Sequence, residues 1–135
     1  MTFSAADGKK LLTTNFAPWV QELGLVVEEI EAPSAVLRLP WSDRLTRHGG
    51  AISGQALMAA ADTATVLAIC AVRGSYVDMT TVQLATTFQR PVMESDVLIT
   101  ATVSKVGRTL AFADITMHAD GRLAAHATTV YALLG

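Results

Sequence analysis

A chain of 135 residues is long enough for one domain with a substantial buried core, so we expect a single domain over residues 1–135. Its net charge of −2 excludes the basic surface that binding along nucleic acid requires. Only 16% of the residues are charged, which indicates that copies of the chain cover part of one another's surface.

The N-terminus and the single cysteine favour the cytoplasm. Residues 1–12 contain an acid and two lysines and no long apolar run, so they do not read as a secretory signal. Cys70 excludes an internal disulfide and fits a reducing compartment. The apolar stretch 56–72 is interrupted by Asp62 and is shorter than the roughly 20 apolar residues of a membrane span. We therefore predict no contact with a membrane.

The first third of the chain predicts a helix and two strands. Apolar residues recur at helical spacing between Leu11 and Leu23, with a break at Pro18 and an end at Gly24. Residues 25–31 and 35–39 read as short strands around a turn at 32–34. Residues 41–53 are predicted to form a loop.

Residues 54–72 are predicted to form a long helix that is apolar on nearly every side. They include seven alanines, and Arg73-Gly74 is a typical helix stop. Because such a helix exposes apolar side chains in every direction, the rest of the chain must surround it.

Four strands with clean alternation follow this helix. The third is predicted at 109–118 after the turn Gly107-Arg108, and Asp120-Gly121 predicts a hairpin into a fourth at 122–133. The residues expected to share one face are Val82, Leu84, Thr86 and Phe88 in the first strand, and Val97, Ile99, Ala101 and Val103 in the second.

The order of these elements predicts an α+β fold in which a curved antiparallel sheet wraps a central helix. An open sheet has edges, and pairing with a second copy covers an edge. We therefore expect a homo-oligomer.

Two glycines just before the long helix form a candidate oxyanion hole. Gly49 and Gly50 leave room for backbone amides to point at a ligand, and a helix N-terminus adds about half a positive charge. The alternative is that both glycines only let the chain turn with positive φ.

Asp62 is an acid in the middle of the apolar helix. A buried, unpaired carboxylate is costly, so it must be paired, protonated or facing a cavity. Gln55 and Thr65 share its helical face, which predicts a polar cleft where the carboxylate acts as a base. The alternative is a structural Asp that is hydrogen-bonded to a neighbouring strand.

Several other residues favour ordinary structural roles. Cys70 fits a small apolar filler, and His118 and His126 lack a ligand partner at metal spacing, so we predict no metal site. Arg90 and Arg108 stand at strand ends, where they either meet phosphates of a ligand or are simply solvated.

Six short motifs, in order between residues 23 and 133, resemble those of PaaI-like (phenylacetate-degradation-type) thioesterases of the hotdog superfamily. They are His48-Gly49-Gly50, LMAAADTA at 57–64, TVQL at 81–84, FQRP at 88–91, VGR at 106–108 and AHAT at 125–128. The resemblance implies the hotdog fold, hydrolysis of an acyl-coenzyme A without a further cofactor, and a dimer or tetramer with active sites between protomers.

The resemblance also implies roles for single residues. Asp62 corresponds to the acid that acts as nucleophile or activates water, and the Gly50 amide to the donor that polarises the thioester carbonyl. His48 corresponds to a histidine that orients this carbonyl or the loop, and Thr81 to a hydroxyl that holds the attacking water. The candidate substrate-binding residues are Gly49, Ser53, Gln55, Arg90 and Arg108.

One departure keeps other functions open. His48 and Asp62 are 14 residues apart, more than the resemblance implies, so Ser53 and Gln55 within the extra length are candidate substitutes. A non-catalytic acyl-coenzyme A binding protein is the main alternative. A hydratase or dehydratase is a further one, but it needs a histidine and acid pair, and Asp43 is the one acid near His48.

Overall fold

The computed structural model describes residues 2–135. Their helices are α1 (Ala5–Thr14), α2 (Pro18–Gln21) and α3 (Gly54–Arg73), with a short 3-10 turn at Asp43–Leu45. The strands are β1 (Val26–Glu31), β2 (Ser34–Leu39), β3 (Met79–Phe88), β4 (Val97–Val106), β5 (Leu110–Ala119) and β6 (Arg122–Leu133).

The strands form one antiparallel sheet in the order β1-β2-β4-β5-β6-β3. Helix α3 contacts all six of them, so the sheet curves around the helix. Twelve residues of α3 are buried. The prediction of an α+β hotdog fold, a central helix wrapped by an antiparallel sheet, is confirmed.

The bounds of α3 follow from its caps. The Ser53 hydroxyl accepts a hydrogen bond from the Ala56 N–H (3.2 Å), and Gly74 ends the helix with a φ of 83°. By length and composition α3 is apolar enough to cross a membrane, but 67% of its most apolar window is buried inside the protein. It is the core helix of this fold.

The N-terminal helix begins earlier than the sequence pattern predicts. Ser4 and Asp7 form a capping box, so α1 starts at Ala5, and Pro18 starts α2 rather than only interrupting one helix. Gly8 lies so close to β1 that a Cβ there would come within 2.5 Å of Ile30 Cδ1. This glycine allows α1 to pack directly on the sheet.

The predicted alternation holds in β4, where Val97, Ile99, Ala101 and Val103 are all buried. In β3 it is wrong at two positions. Val82 is 58% exposed because a bulge between Thr81 and Gln83 shifts the register, and Phe88 is 47% exposed at the end of the strand.

Strand β3 is one edge of the sheet, and it is ten residues long. Within residues 2–135 its outer side has no strand partner. A long exposed edge of this kind is a surface for pairing with another chain.

Candidate active site

The carboxylate of Asp62 lies in the third turn of α3 and is half-buried. It lines a cavity of about 220 Å³ together with side chains from α3, β3, β6 and the segment after α1. The side chain is therefore open to a ligand, although its helix is the core of the protein.

Two hydroxyl groups hold this carboxylate. Thr81 donates from Oγ1 to Asp62 Oδ1 at 2.9 Å and, more weakly, to Oδ2 at 3.2 Å. Tyr131 donates to Oδ1 at 2.5 Å and approaches the Asp62 carbonyl oxygen at 3.1 Å. Oδ1 is thus fixed by two donors, whereas Oδ2 receives only the longer contact with Thr81.

Tyr131 is a functional candidate that the sequence analysis missed. It is 3% exposed, and burial, followed by the negative charge of Asp62, raises the pKa of its hydroxyl far above the ordinary value. The hydroxyl is therefore protonated at neutral pH and can donate its hydrogen bond to Asp62. A signal was present, because a tyrosine buried in a strand needs a partner for its hydroxyl, and Asp62 is the polar group of the facing helix.

The predicted polar stripe around Asp62 is wrong in part. Thr65 is 1% exposed and donates its hydroxyl to the Ala61 carbonyl at 2.9 Å, so it does not face the cavity. Gln55 is exposed and lines a separate cavity of about 230 Å³ near Trp19. The neighbour of Asp62 in its own cavity is Val66, one turn further along α3.

The glycine loop forms a tight turn well before α3. Gly49 and Gly50 have φ values of 99° and 94°, as the structural alternative for these glycines predicts. The Gly50 N–H donates to the Arg47 carbonyl at 2.9 Å, and His48 is exposed. The expectation that the Gly50 amide stands at the helix start is therefore wrong, since the helix begins four residues later and this amide already has a partner.

The free amides at the helix start belong to other residues. Ser53, a candidate for substrate binding, uses its hydroxyl to cap the Ala56 N–H, and the N–H groups of Gly54 and Gln55 have no acceptor within residues 2–135. At 1.5 Å per residue, the eight residues from Gly54 to Asp62 span about 12 Å along the helix. Within one chain, the acid and these amides are too far apart to hold the same atom.

Three arginines line two neighbouring cavities, one of which reaches the start of α3. Arg47 and Arg90 line one cavity of about 310 Å³, whose wall includes Leu57 and Phe88. Arg90 also lines a neighbouring cavity of about 440 Å³, which contains Arg122. Arg47 and Arg122 were missed because neither lies in a recognisable motif.

The other candidates lie away from these cavities. Arg108 is exposed in the turn between β4 and β5, outside the cavities that contain Asp62 and Arg90. Cys70 is fully buried, and burial raises the pKa of its thiol to about 12. Within residues 2–135, no group of three or more His, Cys, Asp or Glu side chains is arranged to hold a metal ion.

Comparisons with known proteins identify relatives along most of the chain. Residues 48–125 match the thioesterase superfamily. A proposed esterase of Saccharolobus solfataricus is 31% identical over 78% of this chain and 75% of its own length, and a proposed esterase of Thermoplasma acidophilum is 25% identical over 96% of each chain.

Solved structures share the fold. Zebrafish thioesterase superfamily member 2 superposes with a TM-score of 0.85 at 24% identity, covering 97% of this chain and 99% of its own. The PaaI protein from the phenylacetic acid degradation operon of E. coli superposes with a TM-score of 0.84 at 18% identity, covering 97% and 94%.

Proposed function

The chain belongs to the thioesterase superfamily, and we propose that it hydrolyses a small or medium acyl-coenzyme A to the free acid and coenzyme A. One observation carries the proposal: Asp62 is a carboxylate in an open cavity, with one oxygen fixed by Thr81 and Tyr131 and the other nearly free. The hydrogen bonds from β3 and β6 also fit the structural alternative for Asp62, so the proposal depends on the free side of Oδ2 and on the open cavity. The expected place of action is the cytoplasm.

Asp62 Oδ2 is the reacting oxygen in this proposal. In the water route it takes a proton from water while the water oxygen adds to the thioester carbonyl carbon. The C–S bond then breaks, and the departing thiolate takes that proton. In the covalent route Oδ2 itself adds to the carbonyl carbon and expels the thiolate, and water hydrolyses the resulting anhydride. Neither route needs a metal or another cofactor.

The amides at the start of α3 are the proposed oxyanion donors, and they act on the active site of a second copy. The part of α3 that the sheet leaves partly open is a stripe formed by Gln55, Met58, Ala59 and Asp62. In the proposed dimer, the stripes of two protomers pack antiparallel, and the two-fold axis passes between Met58 and Ala59. Asp62 of one protomer then lies beside the partner's Gln55. Pairing of the exposed β3 edges is compatible with such a homodimer.

The arginines at the start of α3 are the proposed contacts for the phosphates of coenzyme A. Arg47 and Arg90 supply positive charge beside an apolar wall formed by Leu57 and Phe88, a combination suited to a ligand with phosphate and apolar parts. His48 and Gly49 remain candidates on the strength of the family resemblance, whereas Arg108 lies outside the cavities that contain Asp62 and Arg90.

A panel of acyl-coenzyme A thioesters with a thiol-reactive dye tests the function. We expect release of free thiol by the wild type and a loss of at least about 10³-fold in kcat for Asp62→Asn, because the reacting oxygen is gone. Asp114→Asn is the matched control, since Asp114 is an exposed acid on β5. Full turnover by Asp62→Asn, or none by the wild type, would contradict the proposal.

A binding protein without catalysis is the second candidate. The observation in its favour is the distance of about 12 Å between Asp62 and the free amides of the same helix. This alternative predicts tight binding of acyl-coenzyme A by the wild type with no release of thiol, which the same dye assay and calorimetry together distinguish.

A further inference from the structure

The cavity that contains Asp62 does not end near the carboxylate. It adjoins a second cavity of about 410 Å³ between α1 and the end of α3, and Asn15 and Tyr76 line both. Both side chains are exposed and separate the two cavities, so a ligand group that extends beyond Asp62 has to pass between them to reach the space beside α1.

The walls along this path combine polar and apolar side chains, and the apolar ones form a continuous series. Near Asp62 they include Phe16, Val66 and Met79. Beyond Tyr76, the inner wall includes Leu11, which is 7% exposed, and Phe3, which packs against the core. A hydrocarbon group on this path would bury part of its surface against these side chains.

Charge distinguishes this path from the opposite end of α3. The outer rim of the cavity beside α1 carries Asp7 and Lys10, one helical turn apart and opposite in charge. Arg47 and Arg90 line the cavity at the start of α3, and Arg90 also lines the neighbouring cavity with Arg122 and Asp120. The neutral rim does not suit the phosphates of a nucleotide, whereas the apolar inner wall suits the acyl end of a thioester.

We propose that the acyl group of the substrate runs from Asp62 between Asn15 and Tyr76 and ends against Leu11 and Phe3. The cavity beside α1 then limits the length of the acyl chain, and the substrates are thioesters of medium-chain acids. This inference rests on the proposed function, because it takes Asp62 as the reacting acid. The cavity at Asp62 alone, about 220 Å³, is smaller than the range of roughly 300–1,000 Å³ typical of small-molecule sites, so the longer chain needs the second cavity.

Filling the second cavity tests the path. Thr14 and Lys10 both line it and are both exposed, so Thr14→Phe and Lys10→Phe add bulk without removing core contacts. Their neighbours Thr13 and Lys9 are exposed on the same helix and do not line the cavity, so Thr13→Phe and Lys9→Phe are matched controls. Two independent pairs protect the test against one variant that fails to fold.

The measurement is kcat/KM for a series of straight-chain acyl-coenzyme A thioesters from acetyl to palmitoyl. For the wild type we expect a rise of up to about fourfold per added methylene until the path is full, which is the gain from burying one CH₂. For Thr14→Phe and Lys10→Phe the rise should stop at a shorter chain, with acetyl-coenzyme A unaffected. The two control variants should follow the wild type.

The outcomes separate the two proposals. If the wild type hydrolyses thioesters but the filling variants change every chain length equally or none, the acyl path is wrong and the function stands. Calorimetry with non-hydrolysable thioether analogues of the same chains provides a second readout that does not need turnover. Chain-length-dependent binding without hydrolysis would support the path and overturn the catalytic proposal, and binding that ignores chain length would overturn the path.

Discussion

The two ends of the Asp62-to-Gly54 segment of α3 present opposite kinds of polar group. At Asp62, a half-buried carboxylate is held by the side chains of Thr81 and Tyr131. At Gly54, the backbone itself supplies partial positive charge through amides that need no side chain. The acid is a precise arrangement of three residues from three elements, whereas the amides result from helix geometry alone.

This difference determines how each end can act. Thioester hydrolysis needs an acid and an oxyanion donor within about 3 Å of one carbonyl group, and along one helix the two lie about 12 Å apart. Two copies packed antiparallel bring the acid of one to the amides of the other. The comparison therefore predicts that changes at either end disable catalysis while the fold persists.

After the loss expected for Asp62→Asn, the largest effect is expected from removing the N–H of Gly54. Gly54→Pro removes one N–H at the first helical position, where proline is well tolerated, so we expect a folded protein with kcat reduced about 10² to 10³-fold. Ser53 already has the extended backbone that a following proline requires. Rates are measured with the best acyl-coenzyme A of the panel, and circular dichroism checks the fold.

Gly54→Ala is the control for this change. It adds a Cβ that would lie 3.2 Å from Phe88 Cζ, an exposed ring that can shift slightly, and it keeps the N–H. We expect a loss of no more than a few-fold. Equal losses of kcat in the alanine and proline variants would show that the added side-chain volume at position 54, and not the missing N–H, lowers the rate.

A smaller effect is expected at the other end of the comparison. Tyr131→Phe keeps the buried ring and removes one donor to Asp62, so Oδ1 is held by Thr81 alone. We expect kcat to fall about tenfold with KM nearly unchanged, and the free energy of unfolding to fall by about 1–2 kcal/mol for the lost hydrogen bond. Steady-state kinetics measures kcat and KM, and urea denaturation measures the free energy of unfolding.

Thr81→Val and Thr87→Val complete the test at Asp62. Both threonines are exposed on β3, but Thr81 alone contacts the carboxylate. We expect Thr81→Val to lower kcat and Thr87→Val to leave it within twofold. For the preceding prediction, a Tyr131→Phe protein with reduced stability but normal kcat would mean that Tyr131 only supports the fold.

The arginines give the next smaller effect. Arg90→Gln should raise KM up to about fivefold with kcat unchanged, because an exposed ion pair contributes at most about 1 kcal/mol. Arg108→Gln should leave KM unchanged, since this side chain lies outside the cavities of Asp62 and Arg90. If Arg108→Gln raises KM and Arg90→Gln does not, coenzyme A follows a different surface.

The sequence predicted the fold better than the arrangement of the site. Residues 122–133 were predicted as a strand with the observed bounds, and the family resemblance is confirmed by the match over residues 48–125. Local periodicity and the Asp120-Gly121 turn determine the bounds of this strand, and the family resemblance depends on short motifs in a fixed order. Val82 was assigned to the wrong face because a bulge depends on the partner strand, which periodicity does not contain.

Contacts between distant segments explain what was missed. Tyr131 is 69 residues from Asp62 along the chain, and no spacing rule connects a strand residue to a helix residue at that separation. The place of Gly50 was wrong for a local reason: the loop closes on itself through the Arg47 carbonyl before the helix begins. The family resemblance predicted a functional role for Thr81, and the structure brings its hydroxyl to Asp62.

The last prediction concerns the thiol of Cys70, which lies on the same helix as Asp62 and is completely buried. Cys70 lies eight residues beyond Asp62, is 0% exposed, and has a thiol pKa raised from 9.0 to about 12 by burial. At pH 8 the thiol is therefore un-ionised and out of reach of reagents. Iodoacetamide should leave the native protein unmodified and fully active, and should label the urea-unfolded protein completely, as mass spectrometry will measure. Labelling of the native protein would mean that the core around α3 opens in solution. The exposure of Asp62 could then result from this opening, and it would no longer be evidence for a preformed cavity.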